Sequence, residues 1–148
     1  MLNIGIVGAG IGGLSAALML KISGHEVTIF EKQSESFSSG VGIQLSSNAI
    51  RILRNFDLED DIIKCGNYPL MVDCINGHNA KKITSIPLGE FAKKKFNGGF
   101  YQLHRNDLIS ILKNKANDIG VKINYNSAVV DLLQNLSKAT LIFEKGQF

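Results

Sequence analysis

The chain has 148 residues, 45% of them hydrophobic and 20% charged, with 15 glycines, 2 prolines, 2 cysteines and no tryptophan. That balance is too apolar for a disordered chain, and the glycines follow no triplet period, so collagen-like order is excluded as well. The length allows a buried core without disulfide or metal.

The formal net charge is +3, and Lys93, Lys94 and Lys95 form the one basic run. Without interleaved aromatics or a neighbouring basic cluster, the run reads as a solvated loop, and no nucleic-acid partner is expected. Cys65 and Cys74 make no CxxC pair and have no histidine at ligand spacing. Neither a metal site nor a disulfide is expected, and two reduced thiols point to the cytoplasm. The apolar opening from Ile4 to Leu20 has no preceding Lys or Arg and is interrupted by glycines, so it reads as neither targeting segment nor membrane span.

In chain order, Asn3 to Val7 is a short apolar run ending at a glycine, which predicts a strand buried on both faces. From Ile11 the period becomes helical through Leu14, Ala17, Leu18 and Ile22, and Ser23-Gly24 supplies the stop. His25 to Phe30 is a second β-rich run, so the two strands should lie parallel with a right-handed crossover. Lys32 to Ser39 is polar and turn-like. Leu45 to Phe56 is again helical in spacing.

Met71 to Ile75 and Ile83 to Ile86 flank Asn76-Gly77, a hairpin signal that interrupts the strand and helix alternation. His104 to Ile119 predicts a helix stopped by Gly120, and Val121 to Tyr125 a delayed third parallel strand. Ala128 to Leu133 and Ala139 to Glu144 predict antiparallel strands. Ala139 to Glu144 is expected to present an unpaired edge, with Lys145-Gly146 as a turn after it.

The fold class expected is therefore α/β, with a Rossmann-like βαβ unit and parallel sheet, a hairpin excursion and a C-terminal antiparallel meander, truncated. Residues 1–148 are expected to be the front part of a single domain. Within it, 1–56 form the βαβα dinucleotide unit, 68–100 the excursion, and 101–148 the later helix, third strand and partial meander.

Gly8-Ala9-Gly10-Ile11-Gly12-Gly13 fits GxGxxG with glycines at 8, 10 and 13. It stands in the context the motif needs, after a strand, before a helix, and with Glu31 closing the second strand. Gly8 would allow the tight turn, Gly10 the approach of a pyrophosphate, and Gly13 close helix-to-sheet packing. Ile11 and Gly12 open the helix whose free N–H groups face the phosphates, and the Glu31 carboxylate would accept ribose hydroxyls. An acid there disfavours a 2′-phosphate, which leaves NAD or FAD. Glycine spacing does not choose between them.

The run Gly40-Val41-Gly42-Ile43-Gln44-Leu45-Ser46-Ser47-Asn48-Ala49 resembles the second conserved segment of the flavin-dependent aromatic hydroxylases, the class A flavoprotein monooxygenases. This is the family of para-hydroxybenzoate, salicylate and ubiquinone-biosynthesis hydroxylases. Tyr101-Gln102-Leu103-His104-Arg105-Asn106-Asp107-Leu108 resembles the family's helix start, which carries an arginine toward FAD. The resemblance implies that Gly8, Gly10 and Gly13 hold the FAD pyrophosphate and Glu31 the adenosine ribose. It puts Lys32 beside the adenine, the Gly42 and Ile43 backbone on the flavin side, Arg105 near the pyrophosphate or ribityl chain, and Val129 at the adenine edge. The sequence departs from the family at Ser47, where proline is usual, and at Phe56-Asp57-Leu58.

The activity implied is NAD(P)H-dependent hydroxylation of a small aromatic molecule, with FAD carrying the oxygen chemistry. No residue of this chain is then catalytic, and His25, His78 and His104 have no partnered carboxylate or serine that would make a triad. The family's later Asp-Gly and Gly-Asp segments and most of its substrate sheet are not in the sequence. The 148 residues alone are therefore expected to be inactive, with a complementary C-terminal fragment as a conceivable partner. Two other readings stay open. One is another FAD oxidoreductase of the geranylgeranyl reductase, halogenase or amine oxidase type; the other is a non-catalytic split or decayed gene fragment. An NAD-dependent dehydrogenase is disfavoured by the excursion at Met71 to Ile86.

Overall fold

The computed structural model describes residues 1–35, 40–144 and the backbone of 146–147. The chain divides into two compact units, one of residues 1–38 and 112–148 and the other of residues 39–111.

The first unit opens with β1 (Asn3–Val7), α1 (Ile11–Ile22) and β2 (Glu26–Phe30), and β1 and β2 pair in parallel from Asn3 opposite Glu26 to Val7 opposite Phe30. β-Branched and aromatic residues favour β2, and its Val27, Ile29 and Phe30 are buried. α1 buries Leu14, Ala17 and Leu18, the positions three and four apart that share one helix face. It ends where Gly24, at φ +87°, lets the His25 amide reach back to the Leu20 carbonyl at 3.2 Å.

In the second unit, β3 (Gly42–Leu45) leads into α2 (Ser47–Arg54) and α3 (Glu59–Cys65). These are followed by β4 (Met71–Ile75), β5 (Lys82–Pro87), α4 (Gly89–Phe96) and β6 (Tyr101–His104). β3 and β6 pair antiparallel, as do β4 and β5. The core of this unit gathers Leu45, Ile50, Leu53, Phe56, Leu58, Ile62, Tyr101, Leu103 and Leu108.

α5 (Arg105–Asp118) then returns the chain to the first unit, where β7 (Lys122–Asn124) joins β2 in parallel. Its sheet runs β1, β2, β7. β8 (Val129–Gln134), β9 (Ala139–Phe143) and β10 (Gly146–Gln147) complete the unit, in the order β10, β9, β8. Phe143 lies against Phe30 with ring centroids 5.1 Å apart.

The α/β class, the parallel βαβ unit, the delayed third strand, the hairpin and the antiparallel meander are all present. Six sequence expectations need correction. β1 is not buried on both faces: its residues alternate between exposed and half-buried, and Val7 is 58% exposed. Leu45 belongs to β3, not to the helix that follows, because it pairs with Tyr101 of β6 just as Ile43 and Gln44 pair with Leu103 and Gln102. His104 likewise ends β6, and the helix starts at Arg105.

The hairpin turn is longer than Asn76-Gly77. The Asn76 amide bonds to Lys81 O at 2.9 Å and the Asn76 side chain accepts the His78 amide, closing a loop over residues 76–81. Lys93, Lys94 and Lys95 stand on α4 rather than in a loop. Finally, β9 is the middle strand of its sheet, and β10 pairs with its Ile142 and Phe143, so among the described residues the expected free edge at Ala139 to Glu144 is covered at that end and stays open from Ala139 to Leu141. Gly146 already belongs to β10, while Lys145 of the expected turn, like Ser36 to Ser39 of the polar stretch, lies outside the described residues.

Candidate functional site

In the first unit the chain leaves β1 through Gly8, whose φ of +99° is open to glycine and strained for other residues. The Gly8 amide bonds to Phe30 O at 2.8 Å, which fixes the turn at the ends of the two parallel strands. Gly10 is the N-cap of α1, and the first intrahelical bond runs from the Leu14 amide to Gly10 O at 2.9 Å. Gly13 packs so tightly that a Cβ there would sit 2.0 Å from Gly8 O. A Cβ on Gly8 or Gly12 would meet nothing within 4 Å, so the space over the turn is open.

The start of α1 carries no side-chain cap and no acid in its first turn. The amides of Ile11, Gly12 and Gly13 precede the first intrahelical bond and carry the positive end of the helix dipole. Such a start accepts an anion.

Glu31 follows β2. One carboxylate oxygen accepts the Ala9 amide at 2.7 Å, and the other accepts the Gln33 amide at 2.8 Å. Its own amide bonds to Asn124 O at 2.8 Å, and its carbonyl takes the Ser127 amide at 2.8 Å. Glu31 thus ties the glycine turn to the ends of β2 and β7, while each carboxylate oxygen keeps a second lone-pair direction for a further donor. The sequence pointed to this acid by its spacing but not to its bond with Ala9, which requires the turn and the strand end to be neighbours. Lys32 is exposed beside it. Val129, at the start of β8, is half-buried opposite Phe143.

The second unit holds Gly42, Ile43 and Arg105. Gly42 is the first residue of β3 rather than part of a turn, and it lies opposite His104. Period two divides the β3 and β6 pair. Leu45, Tyr101 and Leu103 are buried, whereas Gln44 lies opposite Gln102 among the more exposed positions. Asn67 extends this edge, exchanging backbone bonds of 2.7 and 2.9 Å with Gln102.

The result is a cleft of about 510 Å³ lined by Gly42, Ile43, Gln44, Cys65, Asn67, Gln102, Leu103 and His104. Its polar lining is uncharged amide together with one imidazole and one thiol, and burial pushes the Cys65 thiol above its ordinary range. The sequence reading missed Gln44, Asn67, Gln102 and His104. The period-two alternation in Gly42 to Leu45 and in Tyr101 to His104 was the available signal. Arg105 is the first residue of α5, and its amide bonds to Val41 O at 3.0 Å, anchoring the helix start to the residue before β3. Among the described residues no group of three or more His, Cys, Asp or Glu is placed to hold a metal ion, and no helix is long and apolar enough to cross a membrane.

A glycine turn into a helix, between parallel strands with an acid closing the second, defines a dinucleotide-binding βαβ protein. Residues 1–147 match the FAD-binding domain family, and the chain belongs to it. It is 34% identical over 111 residues to 6-hydroxynicotinate 3-monooxygenase of Pseudomonas fluorescens, covering 74% of this chain and 29% of that protein. With 3-hydroxybenzoate 6-hydroxylase 1 of Aquipseudomonas alcaligenes it shares 35% over 130 residues, 87% of this chain and 33% of the relative.

Among solved structures, 2-methyl-3-hydroxypyridine-5-carboxylic acid oxygenase in its tetrameric form superposes with a TM-score of 0.79 at 28% identity, over 98% of this chain and 36% of that one. The CtdE complex with FAD and substrate has the same fold, with a TM-score of 0.86 at 22% identity over 100% of this chain and 35% of that one. The chain thus spans about a third of the length of the relatives it matches.

The residues present fit FAD. The open space over Gly8 and Gly12, the uncapped and acid-free start of α1, and the acid that ends β2 are what a pyrophosphate and an unphosphorylated ribose require.

Proposed function

We propose that this chain is the FAD-holding front portion of an NAD(P)H-dependent cytoplasmic monooxygenase that hydroxylates a small aromatic molecule. The observation that carries the reading is the glycine turn locked to Glu31 through the Ala9 amide at 2.7 Å. When bound, FAD supplies the redox and oxygen chemistry. The amides of Ile11, Gly12 and Gly13 neutralise the pyrophosphate, with Gly10 clearing room for it. Glu31 accepts the ribose hydroxyls on its remaining lone pairs. Lys32 and Val129 flank the adenine.

Arg105 is proposed to add a bidentate cation for the pyrophosphate or ribityl chain. Gly42 and Ile43 would offer backbone to the flavin ring, with the amides of the adjoining cleft as hydrogen-bond partners for its polar edge. Relatives that act on 6-hydroxynicotinate and 3-hydroxybenzoate support an aromatic substrate. Turnover would require the two thirds of those proteins that this chain does not span, in the same polypeptide or in a complementary one.

The test is a calorimetric titration with FAD, ADP and NADP, followed by an NAD(P)H oxidation assay. The reading expects FAD and ADP to compete for one site and NADP to be refused. It also expects no hydroxylation by the 148 residues alone. Equal binding of NADP, or FAD binding untouched by Glu31→Ala, would overturn the site. Sustained turnover by the chain alone would overturn the division of labour.

A further inference from the structure

The basic run that the cofactor site does not use sits on a surface of unusual chemistry. α4 carries Lys93, Lys94 and Lys95, and it buries only Gly89 and Ala92. Phe91 and Phe96 remain 46% and 45% exposed, and both rings hold the same ammonium, with Lys95 Nζ 5.3 Å and 5.5 Å from their centroids.

The C-terminal carbonyls of α4 draw in more cations. Arg51 Nη1 donates to Phe96 O at 2.7 Å, and Arg54 Nη1 donates to Asn97 O at 3.2 Å. Lys95 thus lies over both phenyl rings, while Arg51 and Arg54 gather at the C-terminal end of the same helix. Of the nearby acids, Glu59 is bound to Arg54 and feels Lys93, and Glu90 accepts the Tyr68 hydroxyl at 3.3 Å. Leu70, 67% exposed, has its side chain 3.1 Å from the Cβ position of Gly89, so an aliphatic group adjoins the helix start.

We infer that this α4 face docks the protein on an anionic lipid surface. Two half-exposed phenyl rings, with Leu70 at the start of their helix, are suited to the apolar boundary below the headgroups. Lysines with long aliphatic stems can keep their ammonium groups at the phosphates while the rings sit deeper. The three lysines of α4, with Arg51 at its C-terminal end, supply the charge complementarity, and each basic side chain near an anionic leaflet strengthens attachment about fivefold. A single-stranded nucleic acid would use the cations and could stack on the rings, but it would leave Leu70 uncovered. The aliphatic neighbour therefore favours lipid.

The experiment is co-sedimentation of the protein with vesicles of phosphatidylcholine alone and of phosphatidylcholine with phosphatidylserine, at low and high salt. Binding to the serine-containing vesicles should be roughly a hundredfold tighter than to neutral ones and should fall with salt. The K93Q/K94Q/K95Q variant should lose about that hundredfold. K93R/K94R/K95R should keep it, which separates charge from damage to the fold, and F91S/F96S should lose about tenfold. Equal binding to both vesicles, unchanged binding by the glutamine variant with native circular dichroism, or displacement of the vesicles by single-stranded RNA would each overturn the proposal.

Discussion

The βαβ unit and the β4–β5 hairpin solve the problem of burial in opposite ways. α1 and β2 close over Leu14, Ala17, Leu18 and Ile29, all with no exposed surface, and the tight Gly13 packing leaves no slack. The hairpin buries almost nothing: Met71, Ile75, Ile83 and Ile86 are each at least half exposed. A two-stranded hairpin is marginal by itself, so its order rests on the turn bonds at Asn76 and on the chain at its base. The lesson is that apolar sequence does not by itself make core. A helix crossing between parallel strands makes one from local residues, and a hairpin needs a second layer.

That contrast can be broken at several points. The largest effect is expected for Gly13→Ala, which forces a methyl group to 2.0 Å from Gly8 O. It should cost about 3 kcal/mol or more in urea unfolding and abolish FAD binding by titration. Leu18→Ala should cost about 3 kcal/mol, whereas Ile83→Ala, at a position 69% exposed, should stay within about 0.5 kcal/mol; equal losses would erase the distinction. Glu31→Ala removes the acceptor of two backbone amides and should cost about 2 kcal/mol along with most ADP affinity. Glu31→Gln keeps one acceptor oxygen and should lose less on both readouts.

The smallest effect concerns the Arg54 and Glu59 pair of the second unit. Hydrogen bonding to Arg54 holds the Glu59 carboxyl below the ordinary carboxylate range. A depressed acid stabilises the fold above its unfolded pKa and loses that contribution as pH falls through its folded pKa. A melting curve should therefore show the pair's contribution intact at neutral pH and fading below about pH 4.5. Glu59→Gln should flatten that acid limb and leave the alkaline side unchanged.

Much of the candidate cofactor site could be read from residues alone. Gly8, Gly10, Gly13 and Glu31 announce themselves because a tight strand-to-helix turn admits few residue types and places its acid at a nearly constant spacing. The β3 and β6 pair was harder. Four-residue strands carry too few periods to stand out, and their partners lie far apart in the chain, so Gln44 and Gln102 meet only after pairing. The lysine run is solvated as its composition suggests, but it stands on α4, because an eight-residue helix carries barely two turns of periodicity. Arg51 and Arg54 reach its C-terminal end through bonds to Phe96 O and Asn97 O that the linear order does not show.

Residue types and their spacing by themselves determined the α/β class, the parallel crossover, the glycine turn and its acid, since each follows from local backbone freedom and short-range periodicity. Tertiary structure alone decided that Glu31 grips the Ala9 amide and that β9 is a middle strand. It also decided that Gly42 opens a paired strand beside an amide-lined cleft and that Arg51 and Arg54 meet the C-terminal end of α4. Those outcomes depend on contacts between distant residues, and only the closed chain brings such residues within hydrogen-bonding and van der Waals range.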